Sequence, residues 1–155
     1  LVESGVRFVT LTYGGWDMHS NIAGGIRGQV PALDQGFGTL ISDLSERGLL
    51  DEVLVIAMGE FGRSPLMGTQ GSPDGRNHWP SVMSMTLAGG GFKHGQVIGS
   101  SDKDGGHPHD RPVTPGDLAA TIYHHFGVPL DATYEDHRGR PRYIVEEGKP
   151  LRELL

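Results

Sequence analysis

An aspartate and a histidine stand two residues apart in the stretch Gly-Gly-Trp-Asp-Met-His, which covers residues 14–19. Side chains alternate with a period of two in an extended chain, so Asp17 and His19 point to the same side there. A carboxylate oxygen and an imidazole nitrogen can then converge on one cation, at about 2 Å from each. The alternative is structural, with Asp17 capping a turn and His19 on the surface. The two glycines and Trp16 favour the metal site, because glycine admits close approach and tryptophan can line a pocket.

A second polar group follows the apolar run at 53–58 and contains Glu60 and Arg63. We predict that Glu60 is a metal ligand, or an acceptor that orients a ligating histidine. We predict that Arg63 is catalytic and binds an anionic oxygen, for which its planar guanidinium is suited. Arg76 is a second candidate for that contact. The alternative for Glu60 is an ion pair with Arg63.

His78, in the stretch Arg-Asn-His-Trp-Pro at 76–80, is the best candidate for a third ligand, because a loop histidine beside tryptophan and proline has few structural uses. If it shares a cation with Asp17, we expect the two residues to lie within about 10 Å of each other, since ligand atoms lie roughly 2–2.6 Å from their metal. The remaining histidines fit a solvated loop, a helix C-terminus or the surface: His107, His109, His124, His125, His94 and His137.

The composition excludes several classes of partner. The chain has 155 residues, a formal net charge of -6 and no cysteine. An acidic chain without a basic stripe is unsuited to nucleic acid, and no apolar block approaches the roughly 18 residues of a membrane span. Without thiolates, a metal must bind histidine, carboxylate, amide or main-chain oxygen. The 25 glycines cluster at the ends of apolar blocks, which is typical of loops in an α/β fold.

The apolar patterns predict the elements that position these residues. We predict strands at 6–13, 53–58, 81–88 and 96–99, helices at 29–47 and 115–126, and polar loops at 60–80 and 100–113. Gly48 ends the first helix, and Thr114, Pro115 and Asp117 form an N-terminal signature for the second. The strand–helix–strand order predicts a parallel pair with a right-handed crossover. The polar groups would then lie at the carboxyl ends of strands, where α/β folds bind ligands.

At these residues the chain resembles the bacterial domain of unknown function 1501 family, whose members are sulfatase-like and often exported. The resemblance covers nearly all of the sequence. It rests on GGWDMH, LDQGFGTLISDLSERGLLDEVLVIAMGEFGRSP, GRNHWPSVMSMTLAGGGFKHGQVIGSSD, DRPVTPGDLAATIYHHFG and GKPLREL, at 14–19, 33–65, 75–102, 110–127 and 148–154.

The resemblance implies a fold and a chemistry. The family is similar to the alkaline phosphatase superfamily, which implies a three-layer α/β sandwich with a mostly parallel sheet and hydrolysis of phosphate or sulfate esters at a metal site. Asp17 and His19 would match that superfamily's Asp/His ligand pair, and His78 its late histidine. Residues 1–155 are then expected to form a single partial domain, a C-terminal fragment without the first strands and the nucleophile. The family's usual acid before this histidine is Asn77 here.

These observations lead to three hypotheses of function. The first is a metal-dependent hydrolase of small anionic phosphate or sulfate esters, periplasmic or extracellular in the full-length protein. Its divalent metal would be zinc or manganese rather than calcium or magnesium, because the ligands mix histidine with carboxylate. The second is a catalytically degenerate domain that serves as an envelope binding or scaffold protein. The third, a zinc hydrolase of another fold, is disfavoured because the chain has no H-E-x-x-H motif.

Overall fold

Two helices and four small sheets make up the regular structure of the described residues. The computed structural model describes residues 1–68 and 71–155, so positions 69 and 70, inside the loop predicted at 60–80, lie outside it. A short 3-10 helix at Val2–Ser4 is followed by α1 (Ile22–Glu46), β1 (Leu54–Ala57), β2 (Gly62–Arg63), β3 (His78–Trp79), β4 (Thr86–Gly89), β5 (Ser100–Ser101), β6 (Pro108–Asp110), α2 (Pro115–His125), β7 (Thr133–Glu135) and β8 (Pro141–Tyr143).

Each sheet of the described residues has two antiparallel strands. β1 pairs with β4, β2 with β3, β5 with β6, and β7 with β8. The pair β2–β3 lies in sequence between β1 and β4, so a small hairpin is enclosed within a larger one. Because β2 pairs with β3, the beginning and the end of the long loop between them lie side by side.

The three-layer α/β sandwich with a mostly parallel, alkaline phosphatase-like sheet is therefore wrong. Residues 6–13 form no strand, and neither do residues 96–99. The runs at 53–58 and 81–88 do contain strands, but these pair antiparallel, without a crossover helix. An apolar run indicates that a strand is buried, but it does not indicate whether the strand pairs parallel or antiparallel. That direction depends on the path of the chain between the two strands.

Glycines at the end of β4 allow close backbone contact with the chain before β1. Gly89, Gly90 and the glycine that follows have φ near 70°, in the left-handed region that glycine adopts without strain. The amide of Gly90 donates to the carbonyl of Leu50, and a Cβ on Gly89 would overlap the carbonyl of Val53. Close backbone approach, which only glycine permits here, lets β4 end beside the start of β1.

Helix α1 begins seven residues before its predicted start at 29 and includes three glycines that precede that position, Gly24, Gly25 and Gly28. Its N-terminus is held by contacts distant in sequence: Asp74 accepts from the amides of Asn21 and Ile22, and the Asn21 side chain accepts from the amide of Gly24. These bonds satisfy amides that a helix otherwise leaves free. At 25 residues α1 is the longer helix, yet no described helix is both long and apolar enough to cross a bilayer.

The predicted capping of α2 is confirmed. Thr114 and Asp117 form a reciprocal capping box, and Pro115 occupies the first turn. The fully buried Thr121 accepts from the amide of Leu151, which docks the C-terminal segment on α2. The buried apolar side chains among the described residues are few: Leu44, Leu118, Ala120, Leu151 and Leu154.

Candidate metal centre

The segment 14–19 is fixed against the N-terminal half of α1. Gln29 donates from Nε2 to the carbonyl of Gly15 at 2.6 Å, and Trp16 donates from its ring to the carbonyl of Tyr13 at 2.8 Å. Gly15 has a φ of 96°, so the chain turns there in a conformation that favours glycine. The turn presents Asp17 beside the helix start.

The β2–β3 hairpin supplies the second half of the site. Arg63 and His78 are direct partners in its register, so their side chains leave the two strands at the same level. The ring of Phe61 lies against the ring of His78, with centroids 4.5 Å apart. The hairpin therefore places the Arg63 guanidinium and the His78 imidazole side by side.

The loop before β3 joins the two halves. Gly75 is buried, and a Cβ there would overlap the carbonyl oxygen of His19. The amide of Gly68 donates to the carbonyl of Gly75, and Asp74 binds the start of α1 as described above. Backbone contact through a glycine thus places His78, three residues further along, next to the segment that carries His19.

Three predicted ligands converge as a result. His78 Nε2 lies 2.7 Å from Asp17 Oδ1, and His19 Nδ1 lies 3.3 Å from the same oxygen. One ligand atom from each residue lies within 4.8 Å of the other two. We refer to Asp17, His19 and His78 as the Asp–His cluster.

Asp17 remains ionised in this arrangement. A hydrogen bond from His78, and secondly one from Arg63, lowers the pKa of Asp17 from its usual 3.8 to about 2. The side chain is 68% exposed, so solvent screens the charge. A negative carboxylate is nevertheless present at neutral pH, which a cation requires.

The donor set and its spacing fit a divalent cation. Ligand atoms about 2.1 Å from a tetrahedral metal lie roughly 3.4 Å from one another. The Asp17–His19 separation of 3.3 Å meets this condition, while the shorter Asp17–His78 distance is that of a hydrogen bond. In this hydrogen bond, His78 carries the proton on Nε2. A metal would bind the same nitrogen in place of the proton, so metal binding would replace the hydrogen bond between the two residues.

The structure does not bring Glu60 to the Asp–His cluster, and it places Arg63 against Asp17. Glu60 is exposed, lies outside the cluster and has no ion pair with any described residue. Arg63 binds Asp17 at 2.8 Å instead, and donates to the carbonyls of Trp16 and Arg76. Its guanidinium is thus occupied by the protein itself.

Phe61 and Gly75 are site residues that the sequence patterns did not indicate, and Asn77 was noted only as a replacement for the family's usual acid. The Oδ1 atom of Asn77 is buried without a hydrogen-bond partner among the described residues, although its backbone carbonyl accepts from Ser64. A buried unsatisfied oxygen is costly, which makes this position notable beside His78. Phe61 lies in the GEFGR block and Asn77 in the RNHWP block, so both positions lie within sequence motifs. The contact of Gly75 with His19 joins distant parts of the chain, and the residues around Gly75 do not indicate it.

With this geometry established, the comparisons with known proteins identify the family. The family described as protein of unknown function (DUF1501) matches residues 1–155. The chain belongs to the DUF1501 family. No curated protein and no solved structure matches the sequence.

Two cavities of the DUF1501 chain lie away from the Asp–His cluster. One, of about 310 Å³, is lined by Arg111, Asp117, Lys149, Pro150, Arg152 and Glu153. The other, of about 270 Å³, adjoins it along residues 96–100. The cluster itself is an open surface site, in which His78 is 47% and His19 35% exposed.

Proposed function

We propose that the Asp–His cluster holds a divalent cation that serves hydrolysis of phosphate or sulfate esters. One observation carries this proposal: a carboxylate and two imidazoles, from segments about 60 residues apart, converge within 4.8 Å. Three protein ligands with an open position are typical of catalytic metal sites. The reaction class, with a small anionic ester as substrate, is taken from the sulfatase-like character that the family resemblance implies.

Zinc or manganese suits this donor set better than calcium or magnesium. Two of the three donors are imidazole nitrogens, which calcium and magnesium rarely take, because both ions prefer oxygen ligands. One carboxylate and two neutral imidazoles also leave a net positive charge on a bound divalent ion. Such an ion attracts an anionic ester.

The chain's own residues orient the ligands and leave the site accessible. When bound, the cation supplies charge stabilisation and a water molecule of lowered pKa. Asp17 and His78 are exposed enough for a ligand to approach. The Arg76 side chain has no hydrogen bond or ion pair within 1–68 and 71–155, so its guanidinium, unlike that of Arg63, is not engaged by a described residue, and we propose it as the contact for an anionic oxygen.

A second candidate function is binding or scaffolding at the envelope without turnover. Two observations favour it: Glu60 stands apart from the cluster, and the two cavities described above lie elsewhere. Active sites usually enclose most of their ligand, and an open site does not exclude water. Because the family resemblance implies export, we also propose that the protein works in the periplasm or outside the cell.

Metal analysis of purified protein tests the site. We expect one equivalent of zinc or manganese per chain after loading and removal of excess metal. Asp17→Asn and His78→Ala should each weaken binding at least tenfold, because each removes one of three ligands. His137→Ala is the matched control, since His137 is exposed and lies outside the cluster. Equal binding by all four proteins would reject the site.

Turnover separates the two functions. The metal-loaded full-length protein is assayed with chromogenic phosphate and sulfate monoesters, beside the metal-free protein and the Asp17→Asn variant. Metal-dependent hydrolysis that is lost in the variant supports the hydrolase. Stoichiometric metal without hydrolysis of either ester favours the binding function.

A further inference from the structure

Arg63 connects the two halves of the Asp–His cluster. Its Nη2 atom lies 2.8 Å from Asp17 Oδ1 and 3.0 Å from the carbonyl of Trp16. Its Nη1 atom lies 3.1 Å from the carbonyl of Arg76. One guanidinium therefore binds the segment before one ligand, that ligand itself, and the segment before His78.

The environment of Arg63 suits a fixed side chain. The side chain is 23% exposed, against 68% for its partner Asp17. Its strand position is set by pairing with His78 across the hairpin. A planar guanidinium with donors in a rigid fork can hold three acceptors at once, which a lysine ammonium on a flexible stem does less well.

We propose that Arg63 is a positioning residue that holds the two ligand-bearing segments together for metal binding. The proposal rests on the cation site proposed above. Arg63 takes up one lone-pair site of the Asp17 carboxylate, and no described residue donates a hydrogen bond to Oδ2, so the carboxylate keeps lone pairs for a cation. Residues that orient metal ligands in this way typically change metal affinity 10- to 100-fold when replaced.

Electrostatics alone predicts that replacement of Arg63 strengthens metal binding, which is the opposite of the effect expected for a positioning residue. A measurement of metal affinity can therefore test the proposal. A positive guanidinium close to a cation site repels the cation, so removal of its charge should tighten binding. Removal of a positioning residue should weaken binding, because the ligand segments are then free to separate. The sign of the change in metal affinity therefore distinguishes the two roles.

The test compares Arg63→Gln and Arg63→Lys with the wild-type protein. Arg27→Gln is the matched control, because Arg27 is exposed on α1 and has no ion pair with a described residue. The zinc dissociation constant is measured by competition with a chromophoric chelator. The visible absorption of the cobalt-loaded proteins reports the ligand geometry.

We expect zinc to bind Arg63→Gln 10- to 100-fold more weakly than the control, with an altered cobalt spectrum. Arg63→Lys should recover part of the affinity, and it provides the same comparison if Arg63→Gln does not fold. Affinity equal to or tighter than that of Arg27→Gln, with an unchanged spectrum, overturns the proposal and leaves the metal site intact. Absence of metal from the wild-type protein overturns the cation site and this proposal together.

Discussion

A single oxygen of Asp17 is the focus of the site at the scale of residues. Oδ1 lies within 3.3 Å of nitrogens from His19, Arg63 and His78. The two donors that lower its pKa most come from residues 46 and 61 positions further along the chain. The i, i+2 spacing in the sequence indicated the Asp17–His19 pair, but nothing local to Asp17 indicated the other two contacts.

Gly75 tests whether backbone contact creates the site. Gly75→Ala should weaken zinc binding at least tenfold and lower the melting temperature, because the added Cβ would overlap the carbonyl of His19. The segments that carry His19 and His78 must then move apart. Isothermal titration with zinc and thermal unfolding by circular dichroism measure the two effects.

Gly59→Ala is the control for this substitution. Gly59 lies in the same nested hairpin, but a Cβ there meets its nearest neighbour at 3.8 Å, an ordinary contact distance. Its zinc affinity should match that of the wild-type protein. Equal affinities for Gly75→Ala and Gly59→Ala would mean that the loop before β3 does not position the ligands.

At the scale of elements, local sequence signals predicted the helix ends that short-range contacts form. They did not predict the start of α1, which contacts distant in sequence hold. Gly48 and Gly127 each end a helix with positive φ and the paired backbone bonds of a Schellman motif. The capping box at Thr114 was equally readable, because all its groups lie within one turn. The start of α1 depends on Asp74, which lies 53 positions from Asn21. The glycines in the first turns of α1 themselves disfavour a helix, so the local sequence did not predict this start.

The glycines of α1 allow a prediction of stability. Gly36→Ala should raise the free energy of unfolding by roughly 0.5–1 kcal/mol, because alanine is the better helix former and nothing lies within 4 Å of the added Cβ. Gly25→Ala should lose this gain, since its Cβ would overlap the Met18 side chain. Chemical denaturation measures both. Equal stabilisation by the two substitutions would show that Met18 does not pack on Gly25 in solution.

At the scale of the whole molecule, strand pairing was the feature that sequence patterns could not supply. The runs at 53–58 and 81–88 were recognisable as strands from their apolar content. Their antiparallel register depends on Gly89 passing close to Val53, a contact between distant parts of the chain. The parallel sheet was inferred from the order of elements and from the family resemblance, and neither specifies how strands pair.

The exposed surface is large for the chain's mass. A compact monomer of 16.7 kDa exposes about 7,600 Å², whereas this chain exposes 10946 Å². Several large apolar side chains are exposed: Phe8 is 69% and Leu11 89% exposed, and one side of α1 leaves Ile26, Val30, Leu33 and Leu40 about 40% exposed. Large apolar side chains left exposed along one side of a helix are typical of a face that another polypeptide covers.

This surface predicts the behaviour of residues 1–155 in solution. We expect concentration-dependent self-association by light scattering, and binding of a hydrophobic dye in native buffer, because burial of apolar area lowers the free energy. The double substitution Phe8→Ser and Leu11→Lys should reduce both without lowering the melting temperature, since these exposed side chains lose little packing. Val97→Lys is the control, because Val97 is 93% exposed as a single apolar side chain, which is normal for a protein surface. A monomer that binds no dye at high concentration would show that residues 6–13 and the apolar side of α1 pack together in solution.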